Sequence, residues 1–275
     1  MICAWESLLQ ILPDWMRAEV DKLGRNNLQE LRLRKNADPE LVLGDQIEYL
    51  HRTVSEGDLA YCIQAASRYS PWSADTVNQG YITAPGGHRL GICGMAVYKN
   101  GTFSGIRKIS SVCIRIARDV PGIASSIEEK GSVLILGAPG WGKTTLLRDY
   151  IRKRAKNDTV AVVDERGELF PEGFARGTRM DVLTGSGKAD GIVRVLRTMS
   201  PQCIAVDEIT AQEDCAALSH AYGCGVKLIA TAHAASLDEF YARPIYQPLA
   251  RLQLFDSCLI LRRDKSFRKE RMRGC

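Results

Sequence analysis

The sequence has no apolar stretch able to cross a bilayer: no run in its 275 residues approaches the roughly 20 consecutive apolar residues that a spanning helix needs. A direct membrane span is therefore not expected. A secretory leader is not expected either. Ile2, Trp5, Leu8, Leu9, Leu12 and Trp15 are apolar, but Glu6 and Asp14 interrupt them and no basic leader precedes them. Their spacing over residues 1–16 predicts one face of a short helix, and the expected location is the cytoplasm. Cysteine, at nine residues, lacks any pattern: Cys3, Cys62, Cys93, Cys113, Cys203, Cys215, Cys224, Cys258 and Cys275 form no C-x-x-C pair and have no His at ligand spacing. An odd count in a chain without a leader implies free thiols acting mainly as small apolar residues, ahead of disulfides or a zinc site. Internal repeats and low-complexity segments are absent too. At 45% hydrophobic and 25% charged, the composition excludes a disordered chain, and the length allows two domains.

The net charge of +5 is mild, and part of it lies in residues 262–273, with seven basic and two acidic residues. Such a tail suits nucleic acid or an anionic membrane surface, or is simply a solvated, partly disordered end. The basic residues lack the interleaved aromatics of a stacking platform, so no nucleic-acid partner is expected.

The first part of the chain, residues 1–120, reads as a smaller mixed α/β domain. Residues 28–34 and 40–43 predict strands, and Ser55 predicts the cap of a helix from Glu56 to about Tyr69, with Leu59, Cys62, Ile63 and Ala66 at spacings of three and four. Strand signals follow at 80–83, 88–98 and 111–117, punctuated by turns at 84–87 and 99–101. Pro121 and Gly122 mark its end. Over residues 121–275 the pattern changes to short continuous apolar runs at 132–136, 159–163, 203–206 and 226–231, separated by helical stretches at 144–156, 191–199 and 212–222. Strands buried on both faces and alternating with helices predict a mainly parallel sheet covered on both sides.

Residues 137–144 read G-A-P-G-W-G-K-T, the form G-x-x-x-x-G-K-[ST], between an apolar strand and a helix. Chance supplies those fixed positions in a chain of this length only about once in a hundred. Gly137, Gly140 and Gly142 let the loop, which also contains Ala138, Pro139 and Trp141, curl so that its N–H groups converge on phosphate oxygens, and the helix that includes Thr145 adds its positive end. Lys143 suits the β- and γ-phosphates of ATP, and the Thr144 hydroxyl suits Mg²⁺. Asp207 and Glu208 end the run at 203–206, where ligands sit in open α/β sheets. Asp207 is the second magnesium candidate and Glu208 a candidate general base. Asp164 and Glu165, ending the preceding strand, could share that role, unless Arg166 merely pairs with its neighbouring carboxylates. His233, ending a further strand after Thr231, is a candidate sensor of the γ-phosphate.

These four sites, in this order, resemble the RecA-like traffic ATPases of type II and type IV secretion and pilus systems, with their Walker A, acidic, Walker B and histidine boxes. Within that group the chain is similar to the stage III sporulation protein AA family of endospore-forming bacteria. The segments carrying this likeness are 28–34, 86–91, 111–118, 142–149, 163–168, 181–183, 199–201, 207–209 and 225–233. Trp141 and Thr210 depart from the pattern, as does the short basic end. The resemblance implies a RecA-like P-loop NTPase core and a Mg²⁺-dependent ATPase assembled as a hexamer. It also implies partners in a membrane-embedded channel between mother cell and forespore, with the enzyme at its inner face in the mother cell. Ring ATPases often borrow an arginine from a neighbour; Arg107, Arg115, Arg118, Arg179, Arg194 and Arg197 are the candidates, and sequence does not choose among them. Two other readings stay open: a nucleic-acid-dependent ATPase, and a nucleotide-gated scaffold with little turnover.

Overall fold

Proline at position 13 decides how the chain begins. The computed structural model describes residues 4–23, 28–44, 46–67, 80–171 and 173–272. Where the sequence predicts one short helix there are two, α1 (Trp5–Gln10) and α2 (Asp14–Leu23). Pro13 has no N–H to continue α1, and its carbonyl instead accepts the amides of Met16 and Arg17 to start α2.

The chain divides into two compact units, Met1–Asp119 with Pro171–Phe174, and Val120–Phe170 with Ala175–Cys275. The first is an antiparallel sheet of β1 (Leu28–Arg34), β2 (Glu40–Leu43), β3 (Gln46–Tyr49), β4 (Tyr81–Thr83), β5 (Arg89–Lys99) and β6 (Thr102–Arg115), ordered β3-β2-β1-β6-β5-β4. Helix α3 (Glu56–Ser67) is capped as expected: Ser55 Oγ accepts the Asp58 amide at 3.1 Å and the Asp58 carboxylate accepts the Ser55 amide at 2.8 Å. The predicted end of this helix, at Tyr69, lies outside the described residues. Trp5, Leu8, Met16, Val20, Leu59 and Cys62 pack with Leu31, Leu33, Ile92 and Ile114 as the core of this unit. Two features differ from expectation. Strand β3, which the sequence reading does not predict, alternates Gln46 and Glu48 with Ile47 and Tyr49 yet is exposed along its length. Strand β6 begins at Thr102, because Asn100 (φ 51°) and Gly101 (φ 76°) make a two-residue hairpin turn that pairs Lys99 with Thr102.

The second unit is a sheet of β7 (Val133–Leu136), β8 (Val160–Asp164), β9 (Met180–Thr184), β10 (Cys203–Val206), β11 (Lys227–Ala232), β12 (Ser257–Leu261) and β13 (Phe267–Arg271), ordered β13-β12-β7-β11-β10-β8-β9. All neighbours pair parallel except β12 with β13. Its helices are α4 (Lys143–Arg154), α5 (Lys188–Met199), α6 (Gln212–Gly223), α7 (Leu237–Ala242) and α8 (Gln247–Arg251). The uninterrupted apolar runs have the predicted cause. Leu134, Leu136, Val163, Val206 and Ala230 face one cluster with Ile192 and Leu218, while Ile135, Val162, Ala205 and Ile229 face another with Leu146 and Tyr150. The basic C-terminal stretch is corrected in part: Phe267–Arg271 is an edge strand paired with β12, rather than a loose tail. Of the described cysteines, Cys62, Cys203, Cys215 and Cys258 are buried. No helix among the described residues is long and apolar enough to cross a membrane.

Candidate active site

The loop between β7 and α4 has the backbone its glycines permit. Gly140 (φ 77°) and Gly142 (φ 95°) adopt left-handed conformations, which cost an ordinary residue about 1–2 kcal/mol. A Cβ on Gly137 would come within 3.2 Å of Leu261 Cβ and 3.4 Å of Lys143 Cγ. Pro139 is exposed, while Ala138 and Thr145 are half-buried. Trp141, bulky for such a loop, rests partly on the apolar cluster beneath α4. Lys143 is buried, and its ammonium donates to Gly137 O at 2.9 Å, Ala138 O at 3.1 Å and His233 Nδ1 at 3.0 Å. Burial lowers its pKa, and the nearby Asp207 and Glu208 oppose that shift.

Three adjacent strands bring the central groups together. Thr144 Oγ1, just inside α4, donates to Asp207 Oδ2 at 2.7 Å. Strand β11 lies between β7 and β10. Its Thr231, with no exposed surface, donates to Asp207 Oδ1 at 2.6 Å and accepts the Glu208 amide at 2.7 Å. The Thr231 carbonyl also accepts the Ile209 amide at 2.9 Å. Between those bonds Glu208 takes φ 53°, a left-handed conformation that a non-glycine residue keeps only when its surroundings impose it. Its carboxylate lies 2.9 Å from His233 Nε2. Since an ammonium has donors only, His233 Nδ1 accepts from Lys143, and the proton of the neutral ring is on Nε2, facing Glu208. The His233 amide in turn donates to the Tyr246 hydroxyl at 3.3 Å.

Asp164 and Glu165 take different positions. The Asp164 carboxylate is buried and accepts the amides of Glu168 and Leu169 at 2.9 Å and of Phe170 at 3.2 Å. Burial raises its pKa; those three N–H groups oppose the rise and Asp207 adds to it. Asp164 thus shapes the loop after β8, and Arg148 of α4 clamps the same loop through the carbonyls of Glu168 and Leu169. Glu165 is exposed, and its carboxylate accepts from Lys188 at 2.7 Å. Arg166, the pairing cation the sequence suggested, is exposed and makes no ion pair among the described residues. Lys188, Thr231 as a bonding node, Arg148 and Tyr246 are residues that the sequence did not single out. Only the G-S-G-K stretch at 185–188, a glycine-rich turn entering a helix, signalled any of them.

The arginine candidates are scattered. Arg107 is exposed on β6; Arg115 lies 3.5 Å from Glu30; Arg118 donates to Leu28 O. Arg179 donates to Asn157 O, Thr159 Oγ1 and Gln202 Oε1, at the N-terminal ends of the strands and so opposite the loop at 137–144. Arg194 pairs with Asp190 within α5, and Arg197 is exposed in its last turn. None approaches Lys143 or Glu208 within this chain by an observed bond.

Chemically, the arrangement offers a glycine-rich turn at the start of a helix, a lysine, a hydroxyl–carboxylate pair of hard oxygen donors and a carboxylate backed by an imidazole. Among the described residues no three His, Cys, Asp or Glu converge as a closed metal cage. The Thr144 and Asp207 oxygens instead fit Mg²⁺, which uses one or two protein oxygens beside phosphates and water.

The family model described as "Sporulation stage III, protein AA" matches residues 5–274. Stage III sporulation protein AA of Bacillus subtilis is 34% identical over 94% of this chain and 91% of that protein. Among solved structures, the pilus retraction motor PilT with bound ADP superposes with a TM-score of 0.60 at 15% identity, over 95% of this chain and 78% of that one. The Legionella pneumophila ATPase DotB gives 0.54 at 17% identity, over 94% and 79%. The RecA-like fold expected from the motifs is the fold found.

Proposed function

The chain belongs to the sporulation stage III protein AA family, and from that premise we propose that it is a Mg²⁺-dependent ATPase of the secretion-motor type. The observation that carries this reading is the bonded set on β7, β11 and β10: Lys143 to His233, His233 to Glu208, and Thr144 through Asp207 to Thr231. A glycine-rich turn alone needs none of these.

On this reading, the N–H groups of residues 140–144 and the positive end of α4 receive the phosphates. Lys143 leaves the Gly137 and Ala138 carbonyls for the β- and γ-phosphate oxygens, exchanging two neutral acceptors for anionic ones. Thr144 and Asp207 would hold Mg²⁺, which when bound neutralises charge on the phosphate oxygens. Glu208 orients and deprotonates the attacking water, held in position by its left-handed backbone and by Thr231. When Lys143 turns to phosphate, His233 loses the donor on Nδ1; its contact with Glu208 therefore reports whether phosphate is present. Glu165 follows the next strand, β8, and is a second carboxylate for the water.

The motor is proposed to work as a ring, a hexamer as the family resemblance implies, with an arginine from a neighbouring subunit completing the site. One structural neighbour is a pilus retraction motor, which supports a mechanical role. The proposed setting is the cytoplasmic face of a membrane-embedded sporulation channel in the mother cell, where hydrolysis drives assembly or transport. The test is ATPase rate against protein concentration with parallel sizing: specific activity should rise as the ring forms. Unchanged turnover in Lys143→Ala and Glu208→Gln would leave a nucleotide-gated scaffold, and stimulation by DNA or RNA would favour the nucleic-acid-dependent reading.

A further inference from the structure

Lys188 is a second buried lysine on the edge of the sheet that carries the candidate site, and it takes no part in the bonded set around Lys143. Its placement begins with glycine. Gly187 precedes the first turn of α5, and Gly191, one turn further in, lies so close to β8 that a Cβ there would come within 2.5 Å of Val163 Cγ1. Residues three apart share a helix face. The close approach at Gly191 therefore sets Lys188 over the C-terminal end of β8.

From there its ammonium meets two carboxylates, one on the loop after β8 and one in the first turn of α6. Glu165 Oε2, just past β8, accepts at 2.7 Å, and Asp214 Oδ2 lies 3.8 Å away. Asp214 is buried and accepts the amides of Thr210 at 3.0 Å and Ala211 at 3.1 Å, so it fixes the segment that follows Glu208. Lys188 thus joins the loop after β8 to the loop after β10, and each of these loops carries a carboxylate proposed to act on the attacking water. Glu165 is itself exposed, and an exposed carboxylate on a free loop would sample many rotamers.

We infer that Lys188 is a positioning residue: it holds Glu165 at the phosphate edge of the sheet and locks its loop to that of Glu208. This rests on the reading of Glu165 as a group of the hydrolytic site.

The experiment compares Lys188→Met, Lys188→Arg, Glu165→Gln and the double variant Lys188→Met/Glu165→Gln in the full-length assembled protein. The readouts are steady-state ATP hydrolysis, binding of a fluorescent ATP analogue and thermal unfolding. A misplaced catalytic group costs on the order of tenfold to a hundredfold in rate. Lys188→Met should therefore lower kcat by about tenfold or more while nucleotide Kd changes less than about threefold. Lys188→Arg, which keeps the cation, should recover most of the rate. The double variant should be no slower than Glu165→Gln alone, because the lysine acts through that carboxylate. If Glu165→Gln leaves kcat unchanged, the reading of Glu165 fails and the inference falls with it. If Glu165→Gln is slow while Lys188→Met is normal, or if the two losses multiply, the inference is overturned and the reading of Glu165 stands. Should Lys188→Met lose its folded transition, Lys188→Arg decides: a rate and a Kd both shifted with the melting temperature would mark a merely structural ion pair.

Discussion

Replacing Thr231 with valine keeps the shape of a fully buried side chain and removes one hydroxyl. That hydroxyl donates to Asp207 Oδ1 and accepts the Glu208 amide, so the substitution takes one partner from a carboxylate oxygen and one from an N–H in a half-buried site. Hydrogen bonds to charged groups are worth about 1.5–3 kcal/mol and neutral ones about 1 kcal/mol, with little cavity term for an isosteric change. The expected loss is about 3 kcal/mol. For a unit of this size, that corresponds to a fall of roughly 6–12 °C in the unfolding temperature of the second unit. The same bonds keep Glu208 in its left-handed conformation, so turnover should fall by about a hundredfold, while nucleotide affinity, which depends on Lys143 and the loop, changes little. Thr231→Ser retains both bonds and loses one methyl group, about 1 kcal/mol, and should keep most of the activity. Calorimetry and ATPase assays on the three proteins check this. A Thr231→Val protein that melts and turns over like the parent would refute the assignment of Thr231 as the group holding Asp207 and Glu208.

Glu208→Gln should lower kcat at least a hundredfold with nucleotide Kd within a fewfold, measured by steady-state hydrolysis and equilibrium binding. Asp164→Asn loses one of the acceptor oxygens that bind three amides, and should cost about 2 kcal/mol; faster proteolysis within residues 165–170 reads the loosened loop. His88 has no exposed surface, donates through Nε2 to Ala4 O and accepts the Ala117 amide on Nδ1. Burial lowers its pKa below 6.5, so the unfolded chain takes up a proton before the folded one does. Stability of the N-terminal unit should hold above pH 6.5 and decline as pH falls through the folded value. Denaturant midpoints at pH 7.5 and 5.5 should differ in the parent and differ less in a His88→Gln variant.

Much of the second unit was legible because a strand buried on both faces leaves no ambiguity of period: residues 133–136, 160–163, 203–206 and 227–231 form short, largely apolar runs. Strand β12 carries the same signal in S-C-L-I-L but is followed at once by the basic stretch, whose charge suggested a tail. An edge strand needs only one covered side, so β13 hides its pairing behind arginine and lysine. The outer part of β6 lacks apolar alternation for a similar reason, and in the short β3 Ile47 and Tyr49 do alternate with Gln46 and Glu48 but stay exposed. Charge and exposure there describe an edge or a projecting ribbon rather than the absence of structure.

The site was legible as four motifs but not as an arrangement, because strand order does not follow chain order. In sequence the boxes run from 137 through 164 and 207 to 233, whereas across the sheet the strands that carry them run β7, β11, β10, β8. Insertion of β11 between β7 and β10 puts Thr231 opposite Asp207 and His233 beside Lys143, contacts that no sequence spacing reveals. The same order sends β8 three strand positions from β7, about 14 Å at 4.8 Å per strand. Lys143 already makes three contacts on its own side and has no observed bond to Glu165. A carboxylate so far along the edge needs a cation of its own, and the glycine-rich entry to α5 delivers Lys188 there.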